Sequence, residues 1–127
     1  MQKTILVDAW ETLVNENGLF DEMHNLLEDY LNKKIVLTNA NDEEFKKLGF
    51  DKIPYEIFTL KHNPEKSEPE YYKTLLKHFN LEPQDVIYFE HSPDAVKSAQ
   101  SIGINTYFYD KDKRDLIDLK KFINSNL

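Results

Sequence analysis

No cysteine occurs anywhere in the 127 residues. Disulfides, a thiolate nucleophile and cysteine-held metal are thereby excluded, and a reducing compartment is compatible with the chain. Positive charge is also scarce. Sixteen Lys and Arg stand against 23 Asp and Glu, for a net charge of −7. Nucleic acid is an unlooked-for partner on that balance, because phosphate-backbone binding needs a basic surface. An anionic small substrate would have to be held by local donors against the overall field. No apolar run approaches membrane-spanning length, and the N-terminus lacks the apolar core of a signal peptide. A cytoplasmic protein without a membrane partner is the expectation. Internal repeats, low-complexity tracts and linkers are missing as well, so residues 1–127 read as one domain.

What is present is a 40% apolar, 13% aromatic chain in which strand and helix patterns alternate. Five short, near-continuously apolar runs read as buried strands: 4–7, 35–37, 56–60, 86–89 and 106–109. Phe20, Met23, Leu27, Tyr30 and Leu31 recur at helical spacing, and 42–48 reads as a short helix stopped by Gly49. Ser67 and Glu70 stand in capping-box spacing with Pro69 in the first turn. Ser92 offers an N-cap, with Pro93 after it and Gly103 past the helix end. Leu116, Leu119, Phe122 and Ile123 mark a last helix. The class is α/β, a Rossmann-like three-layer sandwich on a five-stranded, mostly parallel sheet.

Ligands of open α/β sheets bind at the carboxyl ends of the strands. Asp8, the pair Thr38 and Asn39, and the run Glu90, His91, Ser92 all fall there. Taken singly, an Asp or Asn at a strand end is more often a turn residue, Ser92 a helix cap, and Lys66 a solvated loop lysine. Their order along the chain changes that reading.

"ILVDAWETLV" resembles a strand followed by D-x-D-G-T-L, through Asp8, Thr12 and Leu13. "KIVLTNAN" is similar to a strand ending in Thr-Asn, through Thr38 and Asn39. "EKSEPEYYKTLLKHF" and "DVIYFEHSPDAVKSAQSIGI" follow a lysine motif and a strand ending in an acidic pair, through Lys66, Pro69, Glu70 and Glu90. These four motifs in order resemble the haloacid dehalogenase-like (HAD) superfamily. The resemblance implies Asp8 as nucleophile and metal ligand, with the main-chain carbonyl of Trp10 as a second ligand. It implies Thr38 and Lys66 as phosphate holders and Glu90 as a metal holder. Trp10, Thr38, Asn39 and Lys66 are then the expected substrate-binding residues, and Mg²⁺ the expected ion. A phosphorylated small molecule or protein is the expected partner. A carboxylate nucleophile beside a divalent ion splits one hard hydrolysis into two displacements.

The departures fall on the chemistry. Trp10 replaces the acid that protonates the leaving group, and an indole N–H only donates. Glu11 replaces a glycine, and His91 replaces the second acid of the pair. Imidazole suits Zn²⁺, Ni²⁺ or Fe²⁺ rather than Mg²⁺. A softer ion, or none, is therefore left open. His91 itself is read as a polar residue at the rim of the site, with metal ligation the alternative. Asp94 offers a replacement carboxylate, or simply an acid at a helix N-terminus. His24, His62 and His78 read as surface residues.

Three readings follow: a slow phosphohydrolase, a non-catalytic module binding a phosphate-bearing ligand or a protein, and dehalogenase-like attack on carbon. The last fits the aromatic Trp10 but wants a closed site. Only "NENG" follows Val14 before helix begins, and residues 40–55 hold one short helix, so no substantial cap is expected.

Overall fold

Strand β1 (Thr4–Asp8) is buried over its whole length and lies at the centre of the sheet. The computed structural model describes residues 2–127. A small hairpin follows, β2 (Val14–Asn15) and β3 (Gly18–Leu19), then α1 (Asp21–Glu28), β4 (Lys34–Thr38) and α2 (Asp42–Lys47). A 3₁₀ turn at Phe50–Lys52 leads to β5 (Glu56–Thr59), α3 (Pro69–Phe79), β6 (Val86–Glu90), α4 (Pro93–Ser101), β7 (Asn105–Phe108) and α5 (Leu116–Asn126). The five-stranded sheet has the order β5-β4-β1-β6-β7, with every pairing parallel. The chain runs outward from β1 through β4 to β5, then crosses to β6 and β7. The switch point therefore lies at the carboxyl end of β1, where an open α/β sheet forms its crevice.

Alternation along these strands splits the core into two layers. Ile5, Val7, Val36, Ile87 and Phe89 pack with Met23 and Leu27 of α1 and with Leu119 and Ile123 of α5. Leu6, Ile35, Leu37 and Tyr88 pack on the other face with Tyr71, Tyr72 and Leu75 of α3 and Ala99 of α4. Helices on both faces explain why the strands read as unbroken apolar runs.

Several local expectations shift. β1, β4 and β6 each run one residue further, through Asp8, Thr38 and Glu90, because the backbone ladder continues after the apolar run stops. β7 starts at Asn105 rather than Thr106. α1 ends at Glu28, and Leu31 stands 93% exposed. Its helical spacing is coincidental, since the chain has already left the helix to enter β4. Ser67 does not cap α3. The cap position is Glu68, without a side-chain bond, since Pro69 occupies the first helical position. Ser92 caps α4 in position only and likewise makes no side-chain cap bond. The hairpin β2–β3 has no counterpart in the sequence reading; Val14 pairs with Leu19 and Asn15 with Gly18 around what looked like a bare connection. Neither that segment nor residues 40–55 holds an inserted domain.

Glu11 adopts φ 67°, the left-handed conformation that glycine adopts without strain. The turn after β1 thus keeps the backbone shape of a glycine without having the residue. Glu11→Gly is expected to stabilise the protein by about 1 kcal/mol, read as a Tm rise of a few degrees by thermal denaturation.

Candidate active site

Asp8 and Glu90 end neighbouring parallel strands, and Leu6, Asp8, Tyr88 and Glu90 lie on the face covered by α3. Both carboxylates are buried, at 1% and 0% exposure. What neutralises them arrives from the loop before α3. The Lys66 ammonium lies 2.6 Å from Asp8 Oδ1 and 2.7 Å from Glu90 Oε1, and is itself buried. Asn39 fixes that loop, its Oδ1 accepting from the Lys66 backbone N–H at 2.7 Å.

The second oxygens of the two carboxylates face the other way. Thr12 Oγ1 donates to Asp8 Oδ2 at 2.7 Å, and His91 Nδ1 bonds to the same oxygen. Glu90 Oε2 accepts the backbone N–H of Ser92 at 2.9 Å, while the Tyr88 hydroxyl donates to Glu90 Oε1. Each carboxylate is thus divided between an ammonium on one side and donors at the head of α4 on the other.

Charge follows this geometry. Burial opposes ionisation of Asp8, but the Lys66 ammonium and His91 outweigh it and hold its carboxyl well below the usual range. Burial, then the negative charge of Asp8, pushes Glu90 upward. Burial works against the Lys66 charge, yet Asp8 and Glu90 raise its pKa above that of free lysine. The bond to Asp8 raises His91 above the ordinary 6.5. Burial and then Glu90 raise the Tyr88 hydroxyl.

Asp8, Trp10, Thr38, Asn39, Lys66, Glu90 and His91 all line one cleft of about 320 Å³. His91, read from the sequence as a polar residue at the rim, lines the cleft and is half-buried there. It is held in the cleft by Asp8, a contact that only the β1–β6 pairing reveals. Asp94 is exposed on the first turn of α4 and does not line the cleft. Thr38 Oγ1 accepts the Ala40 N–H at 3.2 Å, which leaves its proton free to donate. Tyr71 lies with its hydroxyl 2.9 Å from the Thr38 carbonyl, bracing the end of β4.

Tyr88 and Thr12 escaped the sequence reading as site residues. The available signal for Tyr88 was its place two residues before Glu90 on a strand, hence on the same face. His62 also lines the cleft, where Glu44 and Glu65 bond to its two ring nitrogens at 2.6 and 2.8 Å. It remains exposed, as expected, but it ties α2 to the loop after β5. A neighbouring pair, Lys61 with Asp42 at 3.1 Å, does the same.

One oxygen from Asp8, one from Glu90 and a ring nitrogen of His91 lie within 4.8 Å of one another. Mg²⁺ takes oxygen ligands in near-ideal octahedral geometry, whereas imidazole suits Zn²⁺ or Fe²⁺. Asp8 and Glu90 offer the hard oxygens that Mg²⁺ takes, and His91 offers the nitrogen that a softer ion accepts.

Lys66→Met is expected to destabilise the protein by about 3–5 kcal/mol, because it leaves two buried carboxylates unpaired. Adding Glu90→Gln to it should recover part of the loss, as a double-mutant cycle in urea will show. Glu65 and then Glu44 raise His62 above the ordinary 6.5. A histidine with a raised folded pKa stabilises fully below its unfolded pKa, and that contribution is lost as pH rises through the folded value. Proton NMR should therefore find His62 titrating above 6.5, and the Tm difference between the wild type and His62→Gln should shrink above that pH.

No protein-family model and no curated protein matches the chain. Solved structures do. A HAD-superfamily hydrolase from Ehrlichia chaffeensis shares 16% identity at a TM-score of 0.72, with 98% of each chain covered. A HAD family enzyme from Bacteroides thetaiotaomicron, solved in complex with magnesium and inorganic phosphate, shares 16% at 0.68, over 85% of this chain and 94% of that one. A HAD-superfamily hydrolase of subfamily IA from Geobacter sulfurreducens shares 14% at 0.66, over 94% and 100%. Identities this low speak for architecture alone, and they agree with the strand order and with the crevice at the end of β1: the chain has the fold of the HAD-superfamily hydrolases.

Proposed function

We propose that the protein is a slow phosphohydrolase that works through an aspartyl-phosphate on Asp8. The observation that carries this reading is the setting of that carboxylate: buried at the switch point of the sheet and bonded by Lys66 and Thr12, with the Lys66 ammonium favouring its charged form. An Asp8 oxygen attacks phosphorus and the bond from phosphorus to the leaving oxygen breaks, its electron pair departing with the leaving group. The free proton of Thr38 can donate to a phosphoryl oxygen, and the positive charge of Lys66 beside Asp8 offsets the negative charge that must be accommodated there. Trp10 supplies no proton. Water then attacks the intermediate without a positioned base, releasing phosphate and restoring Asp8. A divalent ion held by Asp8, Glu90, His91 and the Trp10 main-chain carbonyl would supply Lewis-acid stabilisation of the phosphoryl oxygens. His91 would have to give up its proton to hold it.

A second reading is a non-catalytic binding module. It is favoured by the saturation of Asp8, both of whose oxygens are already engaged. Carbon chemistry of the dehalogenase kind is disfavoured by the absence of an inserted domain that would close the cleft. A cytoplasmic setting fits the composition, and no helix among the described residues is long and apolar enough to cross a membrane.

Rapid mixing with 4-nitrophenyl phosphate tests the proposal, with Zn²⁺, Mn²⁺, Mg²⁺ or no added ion. The expected trace is a burst of about one nitrophenolate per protein, followed by turnover about two to four decades slower, the usual effect of lacking an acid–base group. Asp8→Asn should abolish the burst. Identical traces from both proteins under every condition would leave the binding reading.

A further inference from the structure

A second cavity is larger than the one that holds Asp8. About 870 Å³ in volume, against about 320 Å³ for the Asp8 cleft, it lies between the β2–β3 hairpin and the stretch from α2 through the 3₁₀ turn. Trp10 and Leu48 line both spaces. Trp10 is half-buried, and its ring is tilted 52° against that of Phe50. Val14, Leu19 and Ile53 give that cavity apolar walls. Lys46, Lys47 and Lys52 stand exposed around it, opposite only Glu16 and Asp51. None of the three lysines forms an ion pair among the described residues, where Lys33, Lys61, Lys66, Lys73 and Lys120 each do. Three lysines against two carboxylates give this hollow a net positive lining in a chain of net charge −7.

The chemistry of the cleft narrows what could extend into that hollow. With an indole where an acid would protonate the departing oxygen, the leaving group must be stable as an anion. Phenolates meet that condition, with conjugate acids near pKa about 10, whereas alkoxides are far more basic. An aromatic leaving group also suits the Trp10 ring and the apolar walls, and the lysines suit a negative substituent on its far side.

The geometry points to the second cavity as the leaving-group subsite for a phosphate monoester of an anionic phenol, a small aryl phosphate whose ring passes Trp10 and whose carboxylate reaches Lys46, Lys47 and Lys52. This rests on the Asp8 reading above. Trp10 is then a substrate platform as well as the loss of an acid.

The test compares three esters: naphthyl phosphate, the same ester with a carboxylate on the far ring, and glycerol 1-phosphate. Half-saturation of the burst is measured for the wild type and for the variant Lys46→Gln, Lys47→Gln, Lys52→Gln, with circular dichroism to establish that the variant folds. Since Trp10 is the one tryptophan in the chain, its fluorescence gives binding without turnover, measured in Asp8→Asn. The expected result is an affinity about tenfold tighter for the carboxylated ester, about 1.4 kcal/mol, in both readouts. That preference should be lost in the triple variant, and glycerol 1-phosphate should give no burst. A burst with equal affinity for the two naphthyl esters, or a preference unchanged by the triple variant, overturns the subsite and leaves Asp8 as nucleophile. The preference in fluorescence with no burst from any ester supports the subsite and overturns the chemistry. Neither signal overturns both. A phosphotyrosine peptide binding more than tenfold tighter than the carboxylated ester overturns the small-molecule occupant.

Discussion

A lysine ammonium buried between two carboxylates is the interaction on which the carboxyl edge of this sheet depends. Asp8 and Glu90 end adjacent strands and lie too deep for water to neutralise them. Desolvated charge is tolerable only with a partner at hydrogen-bond distance, and Lys66 serves both. Its reach sets where the loop before α3 must run, and Asn39 at the end of β4 fixes that loop from the other side. Three strands and a helix entrance are thereby locked to one residue. Tyr88 and Tyr71, both fully buried with their hydroxyls engaged, complete the polar layer beneath the crevice.

The same arrangement shows what the departures from the HAD pattern do together. Where an acid would add a third negative charge, His91 donates to Asp8. Asp8 is therefore bonded by Lys66 through one oxygen and by His91 and Thr12 through the other. Glu11 holds a left-handed backbone that glycine would hold more easily, so the turn after β1 keeps its course. That course carries the Trp10 ring to the wall shared by both cavities. The substitutions leave the frame of the crevice in place and change what it can hold.

Much of the fold was open to sequence reasoning. Five unbroken apolar runs separated by helical patterns dictate a covered parallel sheet, and each run proved to be a strand within a residue or so. The short-range failures have one cause. Leu31 fits a helical stripe and Ser67 fits a capping box, but the path into β4 and the ring of Pro69 override both local signals. The β2–β3 hairpin left no trace because two-residue strands are too short for a period to show.

The sequence by itself determined which chemical groups stand at the ends of the strands: Asp8, Thr38 and Glu90 each follow an apolar run, and that order is enough to place a crevice. Only the tertiary structure decided which of those groups touch. Lys66 meets Asp8 across 58 residues, and His91 meets it across 83. Contacts at such separations follow from sheet register and from the path of a loop, to which the periodicities of 2.0 and 3.6 are blind. Trp10 is the sharpest case. In the sequence it is a missing acid, and in the fold it is a wall shared by two cavities, because ring orientation is set by the packing around it.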